Sequence, residues 1–341
     1  MKRKRTLAVG IAASIGMLAL ILDSRTALNG ASAGIELCLK TVVPSLFPFF
    51  ILSILLTRAV TGTRIGFLRS VGKWCGIPVG AESILLVGFL GGYPVGVQCV
   101  SQAYAAGQLS KKDARRMLGF CSNAGPAFLF GMVGMLFNSK AAAFVLWGIH
   151  ILSALLVGII LPGRECATSS AVPKKHVTMG QALQQSVWIM ANVCGWVVLF
   201  RVILSFADRW FLWFLPQAGR ILFSGILELS NGCFDLTSIQ DERMRFLLAS
   251  VFLGFGGVCV GMQTVSVTGQ TGLDTGAYFP GKVLQAAISA LLAYPAAMFL
   301  FPGSARFSPL FILTPLLITI AVLLLLKKRK NNSSIPAPSG V

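Results

Sequence analysis

Residues Gly91 to Ser101 read GGYPVGVQCVS and residues Gly256 to Ser266 read GGVCVGMQTVS, so seven of eleven positions agree without a gap at an offset of 165. Each copy sets a Gly-Gly pair, a further Gly, a Gln and a Ser inside an apolar run. Glycine costs a helix interior about 1 kcal/mol relative to alanine, and proline about 3 kcal/mol. Gly91, Gly92, Pro94 and Gly96 in the first copy, and Gly256, Gly257 and Gly261 in the second, therefore predict a backbone that breaks within an apolar segment. In a bilayer, broken backbone is tolerated only where protein or a water-filled cavity covers it. Two such elements in corresponding halves are the mark of the binding site in repeat-built transporters, with these glycines expected at hairpin tips.

Composition sets the solvent. The chain is 55% hydrophobic and 12% charged, with several runs long enough to cross about 30 Å of hydrocarbon, which predicts an all-α, polytopic integral membrane protein with the lipid bilayer as its partner. A net charge of +18 suggests nucleic acid in a soluble chain. Here the lysines and arginines gather in tails and short loops, the pattern that orients membrane helices, and no nucleic-acid partner is expected. Cys38, Cys75, Cys99, Cys121, Cys166, Cys194, Cys233 and Cys259 fall singly, with no C-x-x-C, as buried small residues do. The two histidines, His150 in an apolar helix and His176 in a polar stretch, leave no parts for a haem pair, a His-based metal site or a Ser-His triad. Neither an enzyme nor a cofactor is expected.

Along the chain, Lys2 to Arg5 precede an apolar run that ends at Asp23. It reads as a retained signal anchor, and a cleaved signal peptide with Ala31-Ser32-Ala33 as its site competes, although the run exceeds the usual length of about 7 to 15 residues. Residues 1–35 are then anchor and connector, 36–161 a first membrane repeat, 162–179 a cytoplasmic linker, 180–326 a second repeat and 327–341 a disordered basic tail. Spans are expected at 41–56, 117–137, 141–161, 181–206, 278–301 and 308–326. Basic loops flank residues 82–106 on both sides (Arg69 and Lys73, then Lys111 to Arg116), so a hairpin that enters and returns satisfies the charges where a single span does not. A kinked full span is the competing reading. Residues 121–128, CSNAGPAF, interrupt the next span and present Ser122 and Asn123, either to a site or to a neighbouring helix. Residues 221–236 are too short and too polar for a comfortable span. There Glu228 and Asn231 are candidates for a functional site and Asp235 equally for a helix end at the interface.

The halves enter the membrane in opposite senses, which predicts an inverted repeat with two re-entrant hairpins. Counting crossings from a cytoplasmic N-terminus leaves the C-terminus outside, whereas Lys327, Lys328, Arg329 and Lys330 place it inside. The conflict traces to the assignment of residues 207–245.

The ordered set SLFPFFILSILL, GFLGGYPVGVQ, KKDARRMLGFCSNAGPAF and FLGFGGVCVGMQ, across about residues 36–300, resembles the nucleoside-recognition or Gate-domain membrane family. Within it, the likeness is to the YlbJ-type sporulation integral membrane proteins of endospore-forming Firmicutes. The resemblance implies an architecture related to concentrative nucleoside transporters, in a multi-pass protein of the bacterial inner membrane, mother-cell or forespore, acting in sporulation. It also implies a solute site at Gln98 and Ser101, Ser122 and Asn123, Glu228 and Asn231, and Gln263 and Ser266, without the acidic group those transporters carry beside the first Gln, since Cys99 and Val100 follow Gln98. The function expected is transport, or channel-like passage, of a small polar solute, nucleoside-like among the options. A spore-assembly scaffold that transports nothing is the alternative, and a homo-oligomer is compatible with both.

Overall fold

The computed structural model describes residues 2–60, 66–137, 139–161, 178–302, 313–322 and 324. Most of the expected linker, with Cys166 and His176, and the basic tail lie outside the described residues. Among those described, all regular structure is helical, and five helices are long and apolar enough to cross a membrane.

Helix α1 (Lys2–Leu22) leaves Leu7, Ile15 and Ile21 exposed, as lipid-facing side chains are. Helix α2 (Ser24–Thr57) is one apolar rod of 34 residues, about 51 Å long. It runs through the expected boundary at 35 and 36, so the connector expected before residue 41 is itself helical. Asp23 explains where it starts. Its carboxylate accepts from Thr26 N at 3.2 Å and pairs with Arg209 at 2.8 Å. Further along, Gly30 lies against Val202 and Ser205, and Gly34 against Val198, all of them on the antiparallel helix α9 (Met179–Trp210). The small residues from 30 to 34, which look like a cleavage site in sequence, form the close seam between two long helices.

After α3 (Gly66–Trp74), helices α4 (Glu82–Leu90) and α5 (Val95–Ala105) form the first helix pair. At 9 and 11 residues they measure about 14 and 17 Å, and neither reaches across a bilayer. The pair folds back on itself, since a methyl on Gly96 would lie 3.1 Å from Gly88 Cα. Its two open ends stay together. Arg116, just beyond α5, donates to Cys75 O at 2.7 Å and to Gly158 O at 3.0 Å. We call this the near end.

A broken crossing comes next: α6 (Lys111–Met117), an unwound stretch, and α7 (Pro126–Leu136), which ends at the far end where Arg245 donates to Leu136 O at 2.5 Å. Helix α8 (Lys140–Ile160) returns to the near end, and α9 crosses again. The chain continues with a second helix pair and a second interrupted helix. Helices α10 (Gln217–Leu227) and α11 (Leu229–Asp235) form the second helix pair, closed where Gly232 meets Gly225. Helices α12 (Glu242–Phe255) and α13 (Gly257–Gln270) make the second broken crossing, α14 (Tyr278–Leu300) crosses back, and α15 (Leu313–Val322) comes last.

This corrects the reading of the second sequence copy. Arg243 donates to Phe301 O at 2.7 Å at the far end, whereas Asp274, just past α13, pairs with Arg115 at 2.8 Å and Lys111 at 3.8 Å at the near end. Residues 242–270 therefore cross, and Gly256, Gly257 and Gly261 are not at a hairpin tip. The second fold-back is built by residues 217–235 instead. Gly261 packs on Phe279 of α14 rather than on the helix before the break, so nothing draws α13 back along α12. The added crossing, residues 242–270, is not the segment 207–245 in which the miscount is expected. In α15, Thr314 and Ile318 lie beside Leu247 and Val251, and Val322 packs into the apolar cluster that includes Cys75, Leu161, Leu273 and Ile288. Cysteines placed at Lys73, Lys111 and Asp274 should react with an impermeant thiol reagent from one face of the membrane and one at Thr237 from the other. Labelling of 111 and 274 from opposite faces would overturn this path.

Candidate functional site

The two helix pairs enter from opposite ends, and their tips meet beside the two breaks. At the first tip, Gly92 has φ +72° and the Tyr93–Pro94 peptide is cis. A side chain at Gly92 would strike Gly125 N at 3.0 Å, so the first break lies directly on the first tip. At the second tip, Glu228 interrupts the chain between α10 and α11 and caps α11, accepting from Ser230 N at 3.0 Å, Asn231 N at 2.6 Å and Asn231 Nδ2 at 2.7 Å. At the second break Gly256 and Gly257 take φ +80° and +82°, values that favour glycine. Gly256 lies against the Tyr93 hydroxyl, and Gly257 against Leu229 N. A cavity of about 40 Å³, room for a few waters at most, lies among Gly92, Tyr93, Gly125, Glu228 and Gln263.

A larger cavity of about 280 Å³ opens beside it, toward the near end. Gln98 and Ser101 of α5, Gln263 and Ser266 of α13, and Gln185 and Asn192 of α9 face it. The equivalent residues of the two sequence copies thus share one space although their elements differ, because α5 and α13 pack side by side. Among the described residues, no side chain on its wall is charged, and apart from the Trp188 indole the polar ones are amides and hydroxyls. Gln263 borders both cavities. Ser101 is 2% exposed and its Oγ has no hydrogen-bond partner within the protein.

Of the other expected site residues, Asn123 and Asn231 are used internally. Asn123 is fully buried. It donates through Nδ2 to Phe120 O at 2.7 Å and accepts through Oδ1 from Lys282 and Gln285. Asn231 serves the Glu228 cap, and Ser122 Oγ is buried without a partner. Two carbonyls of the unwound stretch find donors, and a third sits in a glycine notch. Phe120 O takes Asn123, Ser122 O takes Lys282 Nζ, and Cys121 O fits the notch between Gly88 and Gly96. His150 Nε2 accepts from Ala124 N at 3.1 Å.

Sequence reasoning missed Lys282 and Gln285. Lys282 falls five residues inside the expected span 278–301, where it passes for an interfacial residue, yet it is 1% exposed. A lysine within an apolar run is itself the signal that could have found it.

A third cavity, about 170 Å³, lies toward the far end against Arg201, Leu204 and Asp208 of α9 and Gln217, Ser224 and Asp235 of the second helix pair. The three cavities run along one face of α9: Gln185, Ile189 and Asn192 border the first, Val193 and Val197 the second, and Arg201, Leu204 and Asp208 the third. Steps of three and four residues keep that face aligned on a helix.

No protein-family model matches the chain, and no solved structure matches it. Among curated proteins it is similar to the sporulation integral membrane protein YlbJ of Bacillus subtilis (strain 168), at 24% identity over 320 aligned residues that take in 80% of this chain and 78% of that one.

Proposed function

We propose that this chain is a transporter, non-enzymatic, for a small neutral polar solute, working in a bacterial cell membrane during sporulation. The observation that carries the reading is the 280 Å³ cavity walled by Gln98, Ser101, Gln263 and Ser266 from both halves, with amides that offer donors and acceptors and no charged side chain. In this reading the helix pairs α4–α5 and α10–α11 are re-entrant hairpins that enter from opposite membrane faces. The halves form an inverted repeat related in architecture to concentrative nucleoside transporters, and the near end, with its basic loops, faces the cytoplasm. The alignment of three cavities along α9 supports a path from one face to the other, closed at the hairpin tips. Alternating access would open the tip cavity to one side and then the other. The likeness to a sporulation integral membrane protein supports the process, and the motif resemblance supports a nucleoside-like solute among the neutral ones.

A spore-assembly scaffold is the second reading. It is favoured by the closed tip and by the internal use of Asn123 and Asn231.

The test is made in a spore former whose own copy is deleted. Gln98→Leu and Gln263→Leu should reach the membrane at normal levels, because neither amide holds a buried neighbour in place other than Cys259, which Gln263 meets at 3.5 Å. Each should weaken solute binding roughly 5- to 150-fold, the equivalent of about 1 to 3 kcal/mol for a partner left unpaired, and lower the yield of heat-resistant spores. Metabolite pools on the two sides of the membrane should shift in the same strains. Normal spores and unchanged pools in both variants would remove the transport reading and leave the scaffold.

A further inference from the structure

The surroundings of Lys282 are chemically unusual in a way that the solute cavity does not explain. Its ammonium lies among oxygens only: Ser122 O, Gln285 Oε1 at 2.7 Å, Asn123 Oδ1 at 3.3 Å and the Tyr93 hydroxyl at 3.4 Å, with the Tyr93 ring 5.3 Å away. No carboxylate is among these contacts, and the residue is 1% exposed. A buried ammonium is ordinarily paired with an acid or turned toward water. One backbone carbonyl, two amide oxygens and a phenol are instead the kind of neutral oxygen donors that hold a dehydrated monovalent cation.

The cage is also built rather than incidental. Gln285 is fixed by its own bond from Nε2 to Asn123 Oδ1 at 3.0 Å, and Asn123 is fixed by Phe120 O at 2.7 Å. The donors come from three separate places in the chain: the first tip (Tyr93), the first break (Ser122 and Asn123) and α14 (Gln285). Whatever positive charge sits among them ties these elements together, and the Tyr93 hydroxyl also lies against Gly256 of the second break.

We propose that these oxygens form a monovalent-cation site whose cation is the chain's own Lys282 ammonium, so that the tip and the first break are held assembled without any dissolved ion. The protein is then independent of sodium and potassium at this position, and removal of the ammonium converts the position into a site for a free one.

The experiment measures melting temperature of the purified full chain in detergent, at constant ionic strength, in choline, sodium, potassium, ammonium or methylammonium chloride. The wild type should melt at the same temperature in all five. Lys282→Ala should melt lower in choline and recover about 2 to 4 °C in a saturable way with ammonium, methylammonium or sodium, because a ligand that binds only the folded state stabilises it by mass action. A wild type that is raised selectively by sodium or potassium over choline overturns the proposal, and this arm does not depend on the variant folding. So does a folded Lys282→Ala that is indifferent to all four small cations. The readout involves no solute, so failure of the transport reading leaves this result standing, and the reverse also holds.

Discussion

Asn123→Leu should nearly abolish the folded protein, in contrast to Gln98→Leu and Gln263→Leu, although sequence reading gives all three residues the same role. The substitution removes three interactions together: the bond to Phe120 O, the bond from Gln285 Nε2 and one oxygen of the Lys282 cage. Phe120 O is left buried and unpaired, Gln285 Nε2 keeps only its longer 3.4 Å bond to His150 O, and the ammonium loses a donor atom it cannot replace. Each unsatisfied buried group costs about 1 to 3 kcal/mol, more beside a charge, so the total is roughly 3 to 5 kcal/mol. Loss on that scale is a large part of the stability of an ordinary domain. Western blots of membrane fractions and a melting curve in detergent would check it. Wild-type levels of Asn123→Leu would show that the residue is not part of the internal scaffold and would return it to the solute site.

The second large effect is expected from one methyl group. Gly88→Ala should prevent assembly of the first helix pair with the first break, because the new Cβ would overlap Cys121 O, and both partners are backbone. Neither can move aside as a flexible side chain does. Overpacking of this kind costs about 3 kcal/mol or more where the neighbour cannot yield. Gly148→Ala on α8 supplies the control, since nothing lies within 4 Å of its Cβ position. There the better helix propensity of alanine should leave stability unchanged or raise it by up to about 1 kcal/mol. Equal yields of the two variants, measured by fluorescence size-exclusion chromatography, would mean that the notch between Gly88 and Gly96 is not required for folding.

The repeated sentence shows how far local sequence reaches. Both copies do place glycines where the backbone breaks, with Gly92, Gly256 and Gly257 at positive φ. The path of the chain beyond the break differs between them. After Gly92 the chain turns back because Gly88 and Gly96 let α4 and α5 touch, whereas after Gly256 it continues because α13 finds its neighbours on other helices. Gly225 and Gly232 perform the Gly88 and Gly96 role in the second half, within residues that share no sentence with the first copy. The second fold-back is therefore out of register with the repeat in sequence. Glu228 was legible as an acid in an apolar setting. Its action as the cap of α11 was not, because that depends on which backbone N–H groups the fold leaves beside it.

The sequence by itself determined the solvent, the helical class, the places where the backbone must break and, of the polar residues that line the larger central cavity, Gln98, Ser101, Gln263 and Ser266. These come from composition and from residue-by-residue costs, which act over a few positions and need no partner. The tertiary structure alone decided which broken segments fold back and which cross, which amides face the open cavity and which are consumed in holding a buried lysine. Those outcomes depend on contacts between residues such as Ser122 and Lys282, 160 positions apart, or Gly96 and the Cys121 carbonyl, and no local pattern records which distant group will satisfy an exposed carbonyl or fill a glycine notch.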